Sequence, residues 1–239
     1  MNDSEAFTNI SVFVRIRPLL PHDIQQDSYS LAAVQHPRTV HFTHPTLRWA
    51  GARFSTKTYE SDGAFDELDD SKTVYQTTGL ATSLEQCIAV PGKELYVLAY
   101  GQTGTGKTYT TTYIEGISHP IHHLRTRNLI GCAETMVNDL FSKINCSGRQ
   151  VTIHSSIFEI RGSAAYDLLS SPPFAPVKIT TTPSSNGHYP DLSEHSASSA
   201  TDLLGLVRSA ASLRFTRSTT KNDASSRCVS NLVKYWGVY

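Results

Sequence analysis

The sequence has few cysteines, no long apolar run and no excess of either charge. A helix that crosses a bilayer needs about 20 consecutive apolar residues, and no stretch of this sequence approaches that length. The opening residues, MNDSEA, contain neither a basic segment nor an apolar one, so a secretory signal is not expected. These absences predict a protein of the cytoplasm with no membrane partner.

Nucleic-acid binding and cysteine-based frameworks are not expected either. Lys plus Arg total 21 and Asp plus Glu total 21, whereas a nucleic-acid binder needs clustered positive charge. The 4 cysteines are far apart and form no C-x-x-C pair, which predicts reduced thiols rather than disulfides or a structural zinc site. Hydrophobic residues make up 39% of the 239 residues, which is enough for a packed core.

Charge is uneven along the chain although it sums to zero. Residues 59–70 hold several acids and no base, and we expect a solvated acidic loop there. Along the chain, we expect an N-terminal tail at 1–10 and a long Ser/Thr/Pro-rich surface excursion at 170–200.

Apolar periodicity predicts strands that alternate with helices, which is typical of an α/β domain. The predicted strands cover residues 11–18, 40–42, 95–100 and 151–160; the third is nearly continuously apolar, as in a strand buried on both faces. The predicted helices cover residues 73–89, a stripe from 130 to 144, and a segment that begins near Leu203.

The segment GQTGTGKT at residues 101–108 fits the phosphate-loop pattern G-x-x-x-x-G-K-[ST]. Its glycines allow a tight turn in which successive N–H groups point at an anion. Lys107 supplies a positive charge for the β- and γ-phosphates, and the Thr108 hydroxyl is suited to Mg²⁺. The loop follows the apolar segment 95–100 and precedes a predicted helix, so a nucleoside-triphosphate site is expected.

Five ordered blocks resemble kinesin motor domains, from about residue 11 to residue 227. They are RIRP at 15–18, FD at 65–66 followed by TVY at 73–75, YGQTGTGKTYTT at 100–111, FEI at 158–160 followed by YDLL at 166–169, and TTKNDASSR at 219–227. The last block is similar to the kinesin switch I pattern N-x-x-S-S-R-S-H. The resemblance implies a P-loop NTPase fold of kinesin-motor type, with a central mixed β-sheet flanked by helices.

The resemblance also implies a function and a set of site residues. It implies an ATPase of the cytoskeleton that uses ATP and Mg²⁺ and has the microtubule as partner. The phosphates would be held by Gly101, Gln102, Thr103, Gly104, Thr105, Gly106, Lys107 and Thr108. The adenine would lie between Arg15, Arg17 and Pro18 on one side and Tyr109 on the other. Asn222, Ser225, Ser226 and Arg227 would form switch I, with Ser226 and Thr108 at the Mg²⁺ ion.

The sequence departs from the family pattern in two places. Cys228 and Val229 stand where the switch I pattern has Ser-His, and no D-x-x-G-x-E switch II motif occurs. The resemblance therefore implies that residues 1–239 are a partial motor domain with a divergent end at 228–239. In the family, both neighbours of the phosphate-loop strand come from C-terminal segments absent from this sequence. We therefore expect residues 95–100 to lack ladder partners, the sheet to be incomplete and the fold to be marginal. A cooperative thermal transition above about 45 °C would contradict this expectation.

Two other functions stay open at this point. The first is a non-catalytic fragment that binds nucleotide or a partner without turnover, which the missing switch II motif favours. The second is an unrelated P-loop kinase or GTPase. This second alternative is weaker, because no apolar run ends in a Walker-B-type acid and the block at 222–227 would have no role in it.

Overall fold

The computed structural model describes residues 10–49, 51–102, 104–111, 131–148, 151–161, 164–178, 192–220 and 231–237. The chain divides into two compact units, Met1–Gly79 and Leu80–Tyr239. Each unit has its own helices, strands and buried residues, and each is described by itself.

The described residues of the first unit form five strands and two short helices. In chain order they are β1 (Phe13–Arg15), α1 (Pro21–Gln25), β2 (Ala32–Gln35), β3 (Thr39–Arg48), β4 (Gly51–Glu60), β5 (Gly63–Phe65) and α2 (Ser71–Thr77). β2, β3 and β4 form an antiparallel sheet in which Val40 lies opposite Val34 on one side and Tyr59 on the other. β1 and β5 form a separate parallel pair.

Close packing between β1 and β5 explains the glycine at position 63. Phe13 lies opposite Gly63 in the parallel pair, and a Cβ atom on Gly63 would come within 2.9 Å of the Phe13 ring. The rings of Phe13 and Phe65 lie with their centroids 6.3 Å apart. Phe65 is buried together with Ala64 next to it, so this pair of strands supplies part of the core of the first unit.

The acidic segment 59–70 is solvated as the charge predicts, since four of its six acids are exposed. It is not a single loop, because it contains the end of β4, the strand β5 and an ordered turn before α2. Four of its carboxylates accept hydrogen bonds from backbone N–H groups, which fixes the course of the chain. The donors are Val12 for Asp62, Leu68 for Asp66, Asp66 for Asp69 and Thr73 for Asp70. Asp70 is the N-cap of α2, and the hydrogen bond from the Thr73 N–H lowers the pKa of this carboxyl.

In the second unit, the part of the chain that the structure describes contains four helices and five strands. In chain order they are α3 (Leu80–Ala89), α4 (Lys107–Thr111), α5 (Cys132–Ser147), β6 (Val151–Arg161), β7 (Ala164–Asp167), β8 (Ala175–Val177), β9 (His195–Ala197), α6 (Ala200–Thr220) and β10 (Asn231–Gly237). The strands form one antiparallel sheet in the order β10-β6-β7-β8, and β9 also pairs with β6.

A hydrophobic core joins α3, α5 and α6 of the second unit to β6. α5 contributes an apolar stripe at helical spacing, and α3 and α6 add theirs. β6 contributes Ile153 and Ile157, each only 1% exposed. The core comprises Leu84, Ile88, Val137, Leu140, Phe141, Ile144, Ile153, Ile157, Leu168, Ala197, Leu203, Leu204, Val207 and Ala210. The predicted helix at 130–144 and the predicted strand at 151–160 are confirmed, within two or three residues at their ends.

Three sequence predictions need correction. The predicted helix at 73–89 is two helices, because the chain passes through Thr78 and through Gly79, whose φ of 71° interrupts the helical path. The predicted short strand at 40–42 is the ten-residue β3. The predicted strand at 11–18 contains only the three residues of β1.

The prediction of a buried strand at residues 95–100 is wrong. Within the described part of the chain these residues belong to no strand, and Tyr96, Leu98 and Tyr100 are 75%, 79% and 97% exposed. An apolar segment becomes a buried strand only when neighbours pair with both of its edges, and none of the strands described does so.

The predicted central mixed sheet is likewise not assembled among the described residues. The parallel pair of β1 and β5 belongs to the first unit, and all strand pairings among the described residues of the second unit are antiparallel. The predicted α/β fold class is confirmed. In the predicted excursion at 170–200, β8 pairs with β7 and β9 pairs with β6, while residues 179–191 lie outside the described part. Of the described helices, none has the length and apolarity needed to cross a membrane.

Candidate functional site

The phosphate loop begins directly after the exposed segment 95–100 and leads into α4. Two of its glycines, Gly104 and Gly106, have φ angles of 85° and 89°. These angles lie in the left-handed region, which glycine adopts freely and residues with a side chain adopt only at a cost. The glycines of the motif are therefore needed for the path of the backbone.

The loop closes on itself through Thr105. The Thr105 hydroxyl donates a hydrogen bond of 2.8 Å to the carbonyl oxygen of Gln102, and the Thr105 N–H contacts the same oxygen at 3.3 Å. A Cβ atom on Gly101 would lie 2.5 Å from the Thr105 hydroxyl oxygen. Since real Cβ contacts are not this short, Gly101 is required for the closed shape of the loop.

Lys107 draws the two ends of the loop together. Its ammonium group donates to the carbonyl oxygens of Gly101 and Gln102, each at 2.7 Å. The side chain is half-buried, and the positive charge is held at the loop by these two bonds. A fixed ammonium group beside a glycine-rich turn is the arrangement that binds a phosphate group.

α4 continues from the loop as a short helix. The Thr110 N–H donates to the Gly106 carbonyl at 2.9 Å, and the Thr111 hydroxyl donates to the Lys107 carbonyl at 2.8 Å. Together with the glycine angles and the held lysine, this path fits the triphosphate that the motif predicts. The residues described at the loop therefore suit the cofactor, and none of them conflicts with it.

Arg15, Arg17 and Pro18 lie in the first unit, in and just after β1. The Arg15 guanidinium donates to the Asp69 carbonyl oxygen at 2.7 Å. Arg17 forms an ion pair of 2.6 Å with Asp23 and also donates to the Pro18 carbonyl oxygen. These bonds hold both arginines within their own unit, which the sequence pattern did not indicate.

Comparison with known proteins identifies the family. The Kinesin motor domain family matches residues 15–232, which is most of the chain. The chain belongs to the kinesin motor domain family. The resemblance read from the five sequence blocks is thereby confirmed, and with it the P-loop NTPase class of α/β fold that this family has.

Individual kinesins match over most of this chain but over a small part of their own length. Kinesin-like protein KIF25 of Macaca fascicularis is 28% identical over 240 residues, covering 92% of this chain and 39% of that protein. Kinesin-like protein KIF11 of Mus musculus is 30% identical over 166 residues, covering 68% and 15%. Kinesin-like protein KIN-14N of Oryza sativa subsp. japonica is 28% identical over 235 residues, covering 94% and 28%. The chain therefore spans well under half the length of these relatives.

Several of the predicted site residues lie outside the described part of the chain. They are Thr103, the side chain of Thr108, and the switch I residues Asn222, Ser225, Ser226 and Arg227. Tyr109 is described and half-buried. The switch I roles stay predictions, as does the placement of adenine between Tyr109 and the group Arg15, Arg17 and Pro18.

Proposed function

We propose that this chain binds ATP with Mg²⁺ at residues 101–108, as part of a motor domain that couples ATP hydrolysis to movement along microtubules. The protein would then be located in the cytoplasm and on the cytoskeleton. The observation that carries the proposal is the Lys107 ammonium group, held by two carbonyl oxygens at 2.7 Å within a loop shaped by three glycines. Family membership supplies the motor part of the proposal.

Different residues of the chain have different roles in binding the phosphates. Lys107 neutralises charge on the β- and γ-phosphates, and the backbone at Gly101, Gly104 and Gly106 approaches them closely. Thr108 and Ser226 would hold Mg²⁺, which neutralises developing charge on the phosphates when it is bound. Asn222, Ser225 and Arg227 would sense the γ-phosphate from switch I, since phosphoryl transfer depends on positioning and charge.

The adenine would be stacked rather than read by its edges. Arg15, Arg17 and Pro18 offer a guanidinium plane, a long aliphatic stem and a flat ring, and Tyr109 offers an aromatic face. Asp23 already fixes Arg17 through its ion pair, which lowers the entropy cost of ordering that side chain. This arrangement favours any purine, so selectivity for ATP over GTP would be modest.

Equilibrium binding of a fluorescent ATP analogue tests the site on the chain as it is. Lys107→Ala should weaken binding by about 10- to 100-fold, because it removes a charge-assisted contact to the phosphates. Lys93→Ala is the matched control: Lys93 is an exposed lysine of the same unit whose ammonium group contacts Gln86. Equal affinity of Lys107→Ala and the parent chain would overturn the proposal.

Microtubule-stimulated ATP turnover tests the motor part. It should be measured on a chimaera in which a relative's switch II segment and following helices extend this chain. We expect stimulated turnover in the chimaera, abolished by Lys107→Ala, and little or none in the unextended chain. A chimaera that binds ATP but shows no response to microtubules would contradict the motor proposal and leave the nucleotide site standing.

A second function is favoured by the segment before the loop. Residues 95–100 are exposed and no described strand pairs with them. The segment that leads into the phosphate loop is therefore only weakly held. The chain would then bind nucleotide, or a partner, without turning nucleotide over. Saturable binding of the ATP analogue without phosphate release from the unextended chain would support this function.

A further inference from the structure

Outside the phosphate loop, three side chains with metal-binding chemistry meet in the first unit. His36 lies in the turn between β2 and β3, and Asp66 and Asp69 lie in the ordered turn before α2. One ligand atom from each residue lies within 4.8 Å of the other two. The cluster joins two segments that are thirty residues apart in sequence, so it is a product of the fold rather than of one loop.

The separations of the ligand atoms match those of a small metal centre. The His36 Nε2 atom lies 3.0 Å from an Asp66 carboxylate oxygen and 3.9 Å from an Asp69 carboxylate oxygen. Ligands held about 2.0–2.2 Å from Zn²⁺ lie roughly 3.0–3.5 Å from each other. The ligand atoms of Asp66 and Asp69 lie within 4.8 Å of each other, so the longer separations must shorten when the three atoms bind one ion.

Contacts from outside the three side chains hold the cluster in place. The Leu68 N–H donates to Asp66 at 2.7 Å, which leaves the other Asp66 oxygen facing His36. The Ala64 N–H donates to the Pro37 carbonyl at 2.8 Å, so the His36 turn is fixed against β5. The side chains of His36, Asp66 and Asp69 are 52%, 34% and 20% exposed, which leaves room for water on a bound ion.

The donor set selects among metals. One imidazole nitrogen and two carboxylates carry a charge of −2 when the imidazole is neutral, which suits a divalent cation. Ca²⁺ prefers six to eight oxygen ligands and Mg²⁺ keeps most of its water, whereas imidazole with carboxylate suits Zn²⁺ and its first-row neighbours.

We propose that His36, Asp66 and Asp69 bind one divalent transition-metal ion of the Zn²⁺ type. The ion links the turn between β2 and β3 to the turn before α2. None of the three ligands belongs to the proposed nucleotide site, but the Asp69 carbonyl accepts the hydrogen bond from Arg15, which is a residue of the proposed adenine-stacking group. Metal binding would therefore stiffen the segment on which Arg15 rests.

Calorimetric titration of the chelator-treated full chain with zinc chloride at pH 7.5 tests the proposal. We expect one saturable site, weakened at least about tenfold in His36→Gln and in Asp69→Asn. Both variants keep a polar atom for the present hydrogen bonds. His41→Gln is the matched control, because His41 also lies in this sheet and bonds to Thr58 and Gln35. Lys107→Ala should bind zinc like the parent chain, which separates this site from the nucleotide site.

A second measurement on the parent chain avoids any effect of substitution on folding. Histidine modification by diethyl pyrocarbonate, mapped by mass spectrometry, should slow at His36 and not at His41 when stoichiometric zinc is added. The proposal is overturned if no saturable zinc site is found, if His36→Gln and Asp69→Asn bind zinc like the parent, or if zinc leaves His36 as reactive as before.

Discussion

Two apolar segments of the second unit have similar strand patterns in the sequence and opposite environments in the structure. In β6, Ile153 and Ile157 are each 1% exposed. In residues 95–100, Leu98 is 79% exposed and Tyr100 is 97% exposed. β6 pairs with β10 along one edge and with β7 and β9 along the other, whereas residues 95–100 pair with none of the strands described.

The difference shows what local sequence controls and what it does not. An apolar run makes burial favourable, but the backbone N–H and C=O groups must be paired before the run can leave water. β6 meets that condition and carries α5 and α6 on its face. Residues 95–100 do not meet it, and they immediately precede the phosphate loop.

The largest expected effect on stability comes from truncating a buried side chain of β6. Ile157→Ala should lower the free energy of unfolding of the second unit by about 2–5 kcal/mol, since it leaves a cavity among well-packed neighbours. Urea denaturation measures this loss. Leu98→Ala removes a similar volume from the exposed segment and should change stability by less than about 0.5 kcal/mol. Equal losses in the two variants would show that residues 95–100 are buried after all.

A buried carboxylate at the end of β7 gives the next largest effect. Asp167 is fully buried and accepts hydrogen bonds from the N–H groups of Leu169, Ser170 and Ser193 and from the Ser193 hydroxyl. Asp167→Asn replaces one acceptor oxygen with a donor, so some of these groups lose their partner. The free energy of unfolding should fall by about 1–3 kcal/mol in the same urea assay. A change near zero would mean that the turn around Asp167 is loosely held.

The contrast between β6 and residues 95–100 also separates what could be predicted from the sequence from what could not. The stripe of Val137, Leu140 and Ile144 and the run at 151–160 predicted α5 and β6 correctly, because their periodicity coincides with the core they enter. Burial of residues 95–100 could not be judged in the same way, since it depends on pairing with distant strands.

Other features of the structure depend on single local contacts that periodicity does not report. The break at Gly79 depends on one φ angle. The order of the acidic turn depends on particular N–H donors that reach Asp66, Asp69 and Asp70. The phosphate loop was predictable because its motif encodes its backbone shape, whereas the bonds that hold Arg15 and Arg17 carried no sequence signal.

A smaller effect, of opposite sign, is expected in the helix that covers β6. Gly205 lies within α6 at a helical angle, and a Cβ atom there would meet nothing within 4 Å. Gly205→Ala should therefore raise the free energy of unfolding by about 0.5–1 kcal/mol. Urea denaturation should show this gain without any change in the exposure of residues 95–100; a loss of stability would mean that α6 is more crowded than described.

The smallest effect concerns pH at the start of α6. Hydrogen bonds from Ser198, and after them from Ser199, lower the pKa of the Asp202 carboxyl. A lowered pKa stabilises the fold at pH values above the unfolded-state pKa, and this contribution is lost as pH falls through the folded-state pKa. The stability difference between the parent and Asp202→Asn should therefore be larger at pH 7 than at about pH 3. Urea midpoints at both pH values measure it, and a constant difference would contradict the assignment.

Amide hydrogen exchange of the parent chain, followed by mass spectrometry, compares the two segments in one experiment. Residues 95–100 should exchange at rates close to those of an unfolded peptide, and residues 153–157 should exchange at least about a thousandfold more slowly. Comparable protection of the two segments would contradict the account, because residues 95–100 would then have to pair with neighbouring strands.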